Sequence, residues 1–294
     1  MQFKKHQLTN HRTNSLKFSK VILVPTDFSA VAEKAIVHGL ELARLLNYSL
    51  CLLHVYHTPA GTQFNKEDAG CQKIHQGLMD YKENGERKYG VKVDPVIREG
   101  NLFTVLNAVV TEIRPRLMVM GTHGKQGLQH LFGSHALRVV LDSPCPVMVV
   151  QDLSIENGYQ RIVMPVNSDA DHNQLAEWGL FFFKLFKSEI HLFESEEVNA
   201  EQKALVKGIT AQIVSVFKEK KVSYLLHAEG SPKDFSNQLI DYSTAVGSDL
   251  IMTMTMPADD GSGYNFSDWN ERLMFNPGGI PVLFIDRTES SWAR

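Results

Sequence analysis

Lys20-Val21-Ile22-Leu23-Val24-Pro25 is a short apolar run headed by a cation and stopped by proline, and Arg161-Ile162-Val163-Met164-Pro165 repeats it. Such runs predict buried parallel strands, with proline where the ladder ends. A polar turn and a helical pattern follow each. The first pattern runs over about Ser29–Leu46, with Ala32, Ala35, Ile36, Gly39, Leu40, Ala43 and Leu46 on one face. The second runs over about Ala170–Phe186, with Leu175, Trp178, Gly179, Phe182 and Leu185. This three-and-four spacing predicts helices lying on a sheet. Gly39 and Gly179 fall at matching places and predict close packing there, because glycine in a helix costs about 1 kcal/mol against alanine.

The repeat continues in step. Second strands are predicted at Ser49–Val55 and Glu189–Phe193, then helices at Gln72–Tyr89 and Gln202–Lys218. Third strands follow at Val91–Ile97 and Val222–His227, each leading to Glu-Gly (Glu99-Gly100 and Glu229-Gly230). Helices at Leu102–Ile113 and Phe235–Thr244 come next. Fourth strands are at Leu117–Met120 and Leu250–Met254, and fifth strands at Pro146–Val150 and Pro281–Ile285. Strand alternating with helix predicts an α/β chain of two tandem doubly wound domains, each a five-stranded parallel sheet with helices on both faces. The expected divisions are an arm at 1–19, domains at 20–151 and 160–287, a linker at 152–159 and a tail at 288–294. Ligands of such sheets sit beyond the carboxyl ends of the strands, where strand order reverses.

Composition narrows the function classes. The 294 residues are 43% hydrophobic and 21% charged, with net charge −3. That is the profile of a soluble two-domain protein with no nucleic-acid partner, since a binder of nucleic acid carries a strongly basic face. Cys51, Cys71 and Cys145 form no CxxC pair, so neither a zinc site nor a disulfide framework is expected. Reduced thiols point to a cytoplasmic location. No stretch is apolar enough to span a membrane. Lys4, Lys5, Arg12, Lys17 and Lys20 make the first residues basic, without the apolar core of a secretion signal.

Chemistry gathers at the strand ends of the first half. The fourth strand runs into Gly121-Thr122-His123-Gly124, and eight residues later Gly133-Ser134 precede a helix predicted from His135 to Asp142. Glycines let backbone N–H groups approach an oxyanion, and Ser134 is placed as an N-cap at the positive helix end. Together they form a candidate phosphate cradle, although a glycine loop before a helix is also an ordinary connection. It is neither a Walker A loop nor a GxGxxG fingerprint. The first strand ends in Pro25-Thr26-Asp27, whose carboxylate either accepts from a ribose or caps the next helix. Val55 ends the second strand and either presents its backbone to a base or packs in the core.

These motifs carry a resemblance. Val24-Pro25-Thr26-Asp27-Phe28-Ser29, the Gly121-Thr122-His123-Gly124 to Gly133-Ser134 loop, and Ser143-Pro144-Cys145-Pro146-Val147-Met148-Val149-Val150 resemble a tandem universal stress protein. The likeness is strong over 20–151 and weak over 160–287. It implies the adenine nucleotide alpha hydrolase-like fold and ATP as ligand, with AMP or ADP as alternatives and Mg2+ as companion. By the resemblance, Asp27 and Val55 serve the adenosine end, and Pro25 and Thr26 count among the binding residues beside them. Gly121 and His123 lie near the ribose, and Gly124, Gly133, Ser134 and His135 hold the phosphates. The family's loop has nine residues between the second and third glycines, so the eight here shorten the phosphate grip. Family members commonly dimerise through the last strand, which implies an intramolecular pseudo-dimer here and leaves a homodimer open.

The second half departs further. Asn167 replaces Asp27 when the prolines are aligned. Met256-Pro257-Ala258-Asp259-Asp260 follows the fourth strand and puts two carboxylates where phosphate would sit. The second half is therefore not expected to bind ATP in this way. No metal site is assigned to His123, His130, His135, His54 or His57, and no GxSxG elbow exists. Glu194-Ser195-Glu196-Glu197 is expected in a solvated loop. No catalytic residues are assigned. The leading expectation is a nucleotide-responsive stress protein read by an unidentified protein partner. The alternatives are a slow ATP hydrolase using His123 or His135, and an interaction module with vestigial sites.

Overall fold

A computed structural model describes residues 19–56, 69–122, 133–151, 155, 157–168, 170–230, 234–255 and 268–286. The first half runs β1 (Val21–Pro25), α1 (Ala30–Leu46), β2 (Ser49–Tyr56), α2 (Ala69–Asn84), β3 (Val93–Glu99), α3 (Leu102–Ile113), β4 (Leu117–Gly121), α4 (Gly133–Asp142) and β5 (Val147–Val150). The second half runs β6 (Arg161–Val166), α5 (His172–Phe186), β7 (Glu189–Ser195), α6 (Ala200–Glu219), β8 (Tyr224–Gly230), α7 (Phe235–Ala245), β9 (Leu250–Met254), α8 (Asp268–Met274) and β10 (Val282–Ile285).

Each half contributes five parallel strands, and the halves merge into one ten-stranded sheet of order β3-β2-β1-β4-β5-β10-β9-β6-β7-β8. The single antiparallel join among these strands is at the centre, where Val147, Met148 and Val149 face Phe284, Leu283 and Val282. Both strands are wholly buried and uncharged, so pairing them removes two apolar edges from water at once. In each half the chain leaves the first strand toward one side and returns to the fourth on the other. The strand order therefore reverses between β1 and β4, and again between β6 and β9.

Alternating contact with sheet and solvent explains the helices. Ser29 caps α1, its hydroxyl accepting from the Ala32 amide at 3.2 Å, and Asn47 closes it in the left-handed conformation at φ 54°. The expected close approach at Gly39 is present: a Cβ there would stand 2.8 Å from Val24 Cγ2. Between the halves, the described residues Ile155 and Tyr159 are tied to both sides. Tyr159 is fully buried, its hydroxyl 2.7 Å from His38 Nε2 of α1 and donating to Met148 Sδ at 2.9 Å. Its ring meets Phe182 and Phe186 of α5 edge-on. The Ile155 amide donates to Glu41 Oε2 of α1 at 3.1 Å. Burial, then the Glu41 and Asp249 carboxylates, push the Tyr159 phenol well above its ordinary value.

Three expectations are corrected. The single helix expected at Gln72–Tyr89 is α2 followed by a π-helical turn at Gly85–Tyr89, where Gly85 lets the backbone close onto Val93 and Leu40. Glu194 is not in a solvated loop. It belongs to β7, is 1% exposed, and takes Lys207 of α6 on Oε2 at 3.0 Å. The short helix α8 between β9 and β10 was not expected, since no long apolar periodicity marks it.

Candidate functional site

The reversal between β1 and β4 opens a cleft at the carboxyl ends of both strands. The cleft is a shallow depression, open to solvent and with about 10 Å³ of enclosed space, lined by Pro25, Asp27, Ser29, Val31, Ala32, Met120 and Gly121. The strands supply Pro25, Met120 and Gly121. The first turn of α1 supplies Val31 and Ala32, and Ser29 is its cap. The helix therefore offers its positive end to whatever occupies the cleft.

The turn after β1 is fixed from several sides. The Thr26 amide donates to Leu53 O at 2.8 Å, and Thr26 Oγ1 accepts from the Phe28 amide at 3.1 Å. His54 Nδ1 is 2.8 Å from Thr26 O. A carbonyl only accepts, so Nδ1 carries the proton. Phe28 has φ 64°, an unusual conformation for a bulky residue. Its ring lies 5.0 Å from the His54 ring and 6.4 Å from Tyr81, over Gly77, where a Cβ would come within 2.8 Å. Burial, then the Glu33 carboxylate, raise the Tyr81 phenol. Backbone strain held by surrounding contacts is a recurrent mark of functional turns.

Asp27 does not cap α1; Ser29 does. Asp27 Oδ1 accepts from the Ser29 amide at 3.0 Å and thereby holds the cap residue, while the residue itself stays exposed at the cleft. One oxygen of Asp27 braces the turn, and the carboxylate is presented to solvent; the capping reading is replaced by Ser29.

At Gly121 the structure shows a steric reason for glycine that the sequence does not announce. A Cβ there would stand 2.3 Å from Val31 O and 2.6 Å from Val31 Cγ1. Glycine is required because α1 presses directly on the end of β4, and that closeness shapes the cleft. Val55 is the penultimate residue of β2, half-buried and in register with Arg98, and is not among the cleft-lining residues. Thr26 is buried behind the lining. His123 and Gly124 lie outside the described residues. Gly133, Ser134 and His135 fall in the first turn of α4, which begins at Gly133 and not at His135. Ser134 is accordingly within the helix instead of at its expected N-cap. Ser29, Val31, Ala32 and Met120 were missed. The signal that could have found them is the helix start placed directly after Pro25-Thr26-Asp27.

The described part of the cleft offers an apolar lining, an exposed carboxylate that accepts from hydroxyl or amino donors, and the start of a helix. Among the described residues no group of three or more histidines, cysteines or carboxylates is placed to hold a metal ion, and no helix is long and apolar enough to cross a membrane.

The equivalent place in the second half is built differently. Ile22 pairs with Leu117 and Ile162 with Leu250, so Met254 stands at the position of Gly121 and is buried. Asn167 stands at Asp27, and Ser168 at Phe28. Pro25 pairs with Leu53 and Pro165 with Phe193, so Glu194 stands at His54. The stretch Met256–Asp260 lies outside the described residues.

Comparison with known proteins agrees with this architecture. The model of the universal stress protein family matches residues 19–151. A universal stress protein of Methanocaldococcus jannaschii is 29% identical over 149 residues, 47% of this chain and 85% of the relative. Universal stress protein A homolog 1 of Coxiella burnetii is 31% identical over 144 residues, 45% of this chain and 95% of the relative. A solved universal stress protein from Archaeoglobus fulgidus shares the fold across both halves. Its TM-score is 0.71 over 92% of this chain and 99% of that one, at 16% identity. A putative universal stress protein from Pseudomonas aeruginosa gives 0.61 over 91% and 93%, at 15% identity. Motif order, strand order and these relatives agree: the chain belongs to the universal stress protein family.

Proposed function

We propose that the first half binds an adenine nucleotide at the β1/β4 cleft and that the second half serves as its structural mate. The observation that carries this is the exposed Asp27 carboxylate on a strained, multiply braced turn at the strand-order reversal, next to the start of α1. Asp27 accepts from the ribose hydroxyls, and the α1 start adds a favourable potential. The glycine loop 121–134 is assigned to the phosphates, with Mg2+ neutralising the charge of ATP. Ligand binding biases the conformation of that loop, and a protein partner in the cytoplasm reads the bias. The role is regulatory, with no chemical step assigned.

Titration with labelled ATP, ADP and AMP, with and without magnesium, tests this reading. Saturable binding of at least one of them is expected. Absence of binding at millimolar nucleotide overturns the proposal.

A further inference from the structure

At the start of β7, away from the strand-order reversal, three titratable side chains form a chain that the nucleotide reading does not use. Glu189 and His191 belong to β7, and Tyr242 belongs to α7. His191 Nε2 is 2.9 Å from Glu189 Oε1, and its Nδ1 is 2.8 Å from the Tyr242 hydroxyl. A carboxylate only accepts, so Nε2 carries the proton of the neutral ring. Nδ1 is then an acceptor, and the Tyr242 hydroxyl donates to it. Carboxylate, imidazole and hydroxyl in this order are a nucleophile, its base and the group that orients the base.

The three groups are fixed in place. His191 is 4% exposed and Tyr242 is half-buried, so the tyrosine is the member that meets solvent. Its ring is stacked on His227 at 4.4 Å and lies 5.1 Å from Phe193, which sets where the hydroxyl points. Arg161 ties the two elements together: Nε lies 3.6 Å from Glu189 Oε1, and Nη1 donates to Val246 O at the end of α7. Burial, then the Glu189 carboxylate, raise the Tyr242 phenol, and Arg161 opposes them. The phenol is therefore un-ionised at neutral pH and needs a base to become a nucleophile. The scaffold does not require these groups. Arg161 pairs with Glu189 and Val163 with His191, as Val21 pairs with Ser49 and Leu23 with Cys51, so the first half builds the same strands with Ser49 and Cys51 in the two places.

The geometry points to Tyr242 as an activated nucleophile that takes an acyl group from an uncharged carboxylic ester. Tyr242 Oη attacks the carbonyl carbon while His191 Nδ1 accepts the phenolic proton. The bond from Oη to carbon forms, the bond to the leaving oxygen breaks, and that oxygen departs with the electron pair. His191 then releases the proton to the leaving oxygen or to water. The product is an ester on Tyr242. Glu189 is a positioning residue: it fixes the tautomer and stabilises the imidazolium that forms. An uncharged substrate fits because Arg161 and Glu189 offset each other, and α7 brings its negative end to this place.

The test is incubation of the full chain with p-nitrophenyl acetate, read by nitrophenolate release and by peptide mass mapping. The wild type is expected to acetylate Tyr242 ahead of its other tyrosines. Tyr242→Phe keeps the ring stack and is expected to lose the nitrophenolate released at this site. His191→Gln is expected to slow acetylation of Tyr242 roughly a hundredfold or more, and added imidazole is expected to restore it in His191→Ala. Glu189→Gln can offer an N–H to Nε2 and so place the ring proton on Nδ1; a slowing of roughly tenfold or more is expected. Thermal melts check that each variant is folded. A folded wild type whose Tyr242 is labelled no faster than its other tyrosines overturns the proposal. Undiminished labelling in folded His191→Gln likewise overturns it, and where that variant does not fold, undiminished labelling in Glu189→Gln, whose side chain is 40% exposed, does so. A folded His191→Ala that imidazole does not rescue contradicts His191 as the base.

Discussion

The two halves share a strand order and differ at the one place where that order reverses. In the first, Gly121 lets α1 come down onto β4, and the turn after β1 is held by His54, Phe28 and Thr26 with Asp27 turned outward. In the second, Met254 fills the position of Gly121, and Asn167 replaces the carboxylate. Glu194, at the position of His54, is buried and neutralised by Lys207 on the α5/α6 side of the sheet. A duplicated scaffold retains its core because the core is what folds it. The strand ends are free to diverge, since little of the apolar burial depends on them.

The largest effect is expected at Gly121. Gly121→Ala drives a Cβ into Val31 O, so α1 must move. A loss of about 1–3 kcal/mol is expected from overpacking of this kind, read as a lower denaturation midpoint, together with weakened nucleotide binding. Unchanged stability would show that α1 is not pressed on β4.

Exchanging the acidic position sharpens the contrast with less cost to the fold. Asp27→Asn, which installs the residue of the second half, is expected to weaken nucleotide binding roughly tenfold or more, since a hydrogen bond to a charged group contributes about 1.5–3 kcal/mol. The reverse change, Asn167→Asp, is expected to create no second site, because a buried methionine, Met254, still stands where the first half has Gly121. Calorimetric titration of both variants measures this, and a gain of binding in Asn167→Asp would contradict this reading of Met254.

The smallest effect lies in the second half. His191 Nε2 is 2.9 Å from Glu189 Oε1, and its Nδ1 is 2.8 Å from the Tyr242 hydroxyl. The hydrogen bond from His191, and then its charge and that of Arg161, lower the Glu189 carboxyl below its ordinary 4.5. A depressed carboxylate contributes stability above its unfolded pKa and loses it as pH falls through the folded value. The stability gap between wild type and Glu189→Gln is therefore expected at neutral pH and should close below about pH 4. Melting curves across that range check it.

Much of this fold is legible in the sequence because buried parallel strands and sheet-lying helices write local periodicities. The paired runs at Val21 and Ile162, and the glycines at 39 and 179, place most elements to within a few residues. What was not legible depends on contacts distant in sequence. Gly121 reads as part of a ligand loop, yet the nearest constraint on it is Val31, 90 positions away in the chain. Glu194 reads as solvated because its neighbours Glu196 and Glu197 are acidic, and only the partner Lys207 on α6 explains its burial. The cleft wall of Ser29, Val31 and Ala32 is ordinary helix sequence made special by where α1 begins.

The number of nucleotide sites per chain separates one working half from two. Equilibrium dialysis of the full chain against ATP and magnesium is expected to saturate at one nucleotide per chain, and to lose that site in Asp27→Asn. Saturation at two would contradict the division between the halves, and no saturable site at all would contradict the assignment of the β1/β4 cleft.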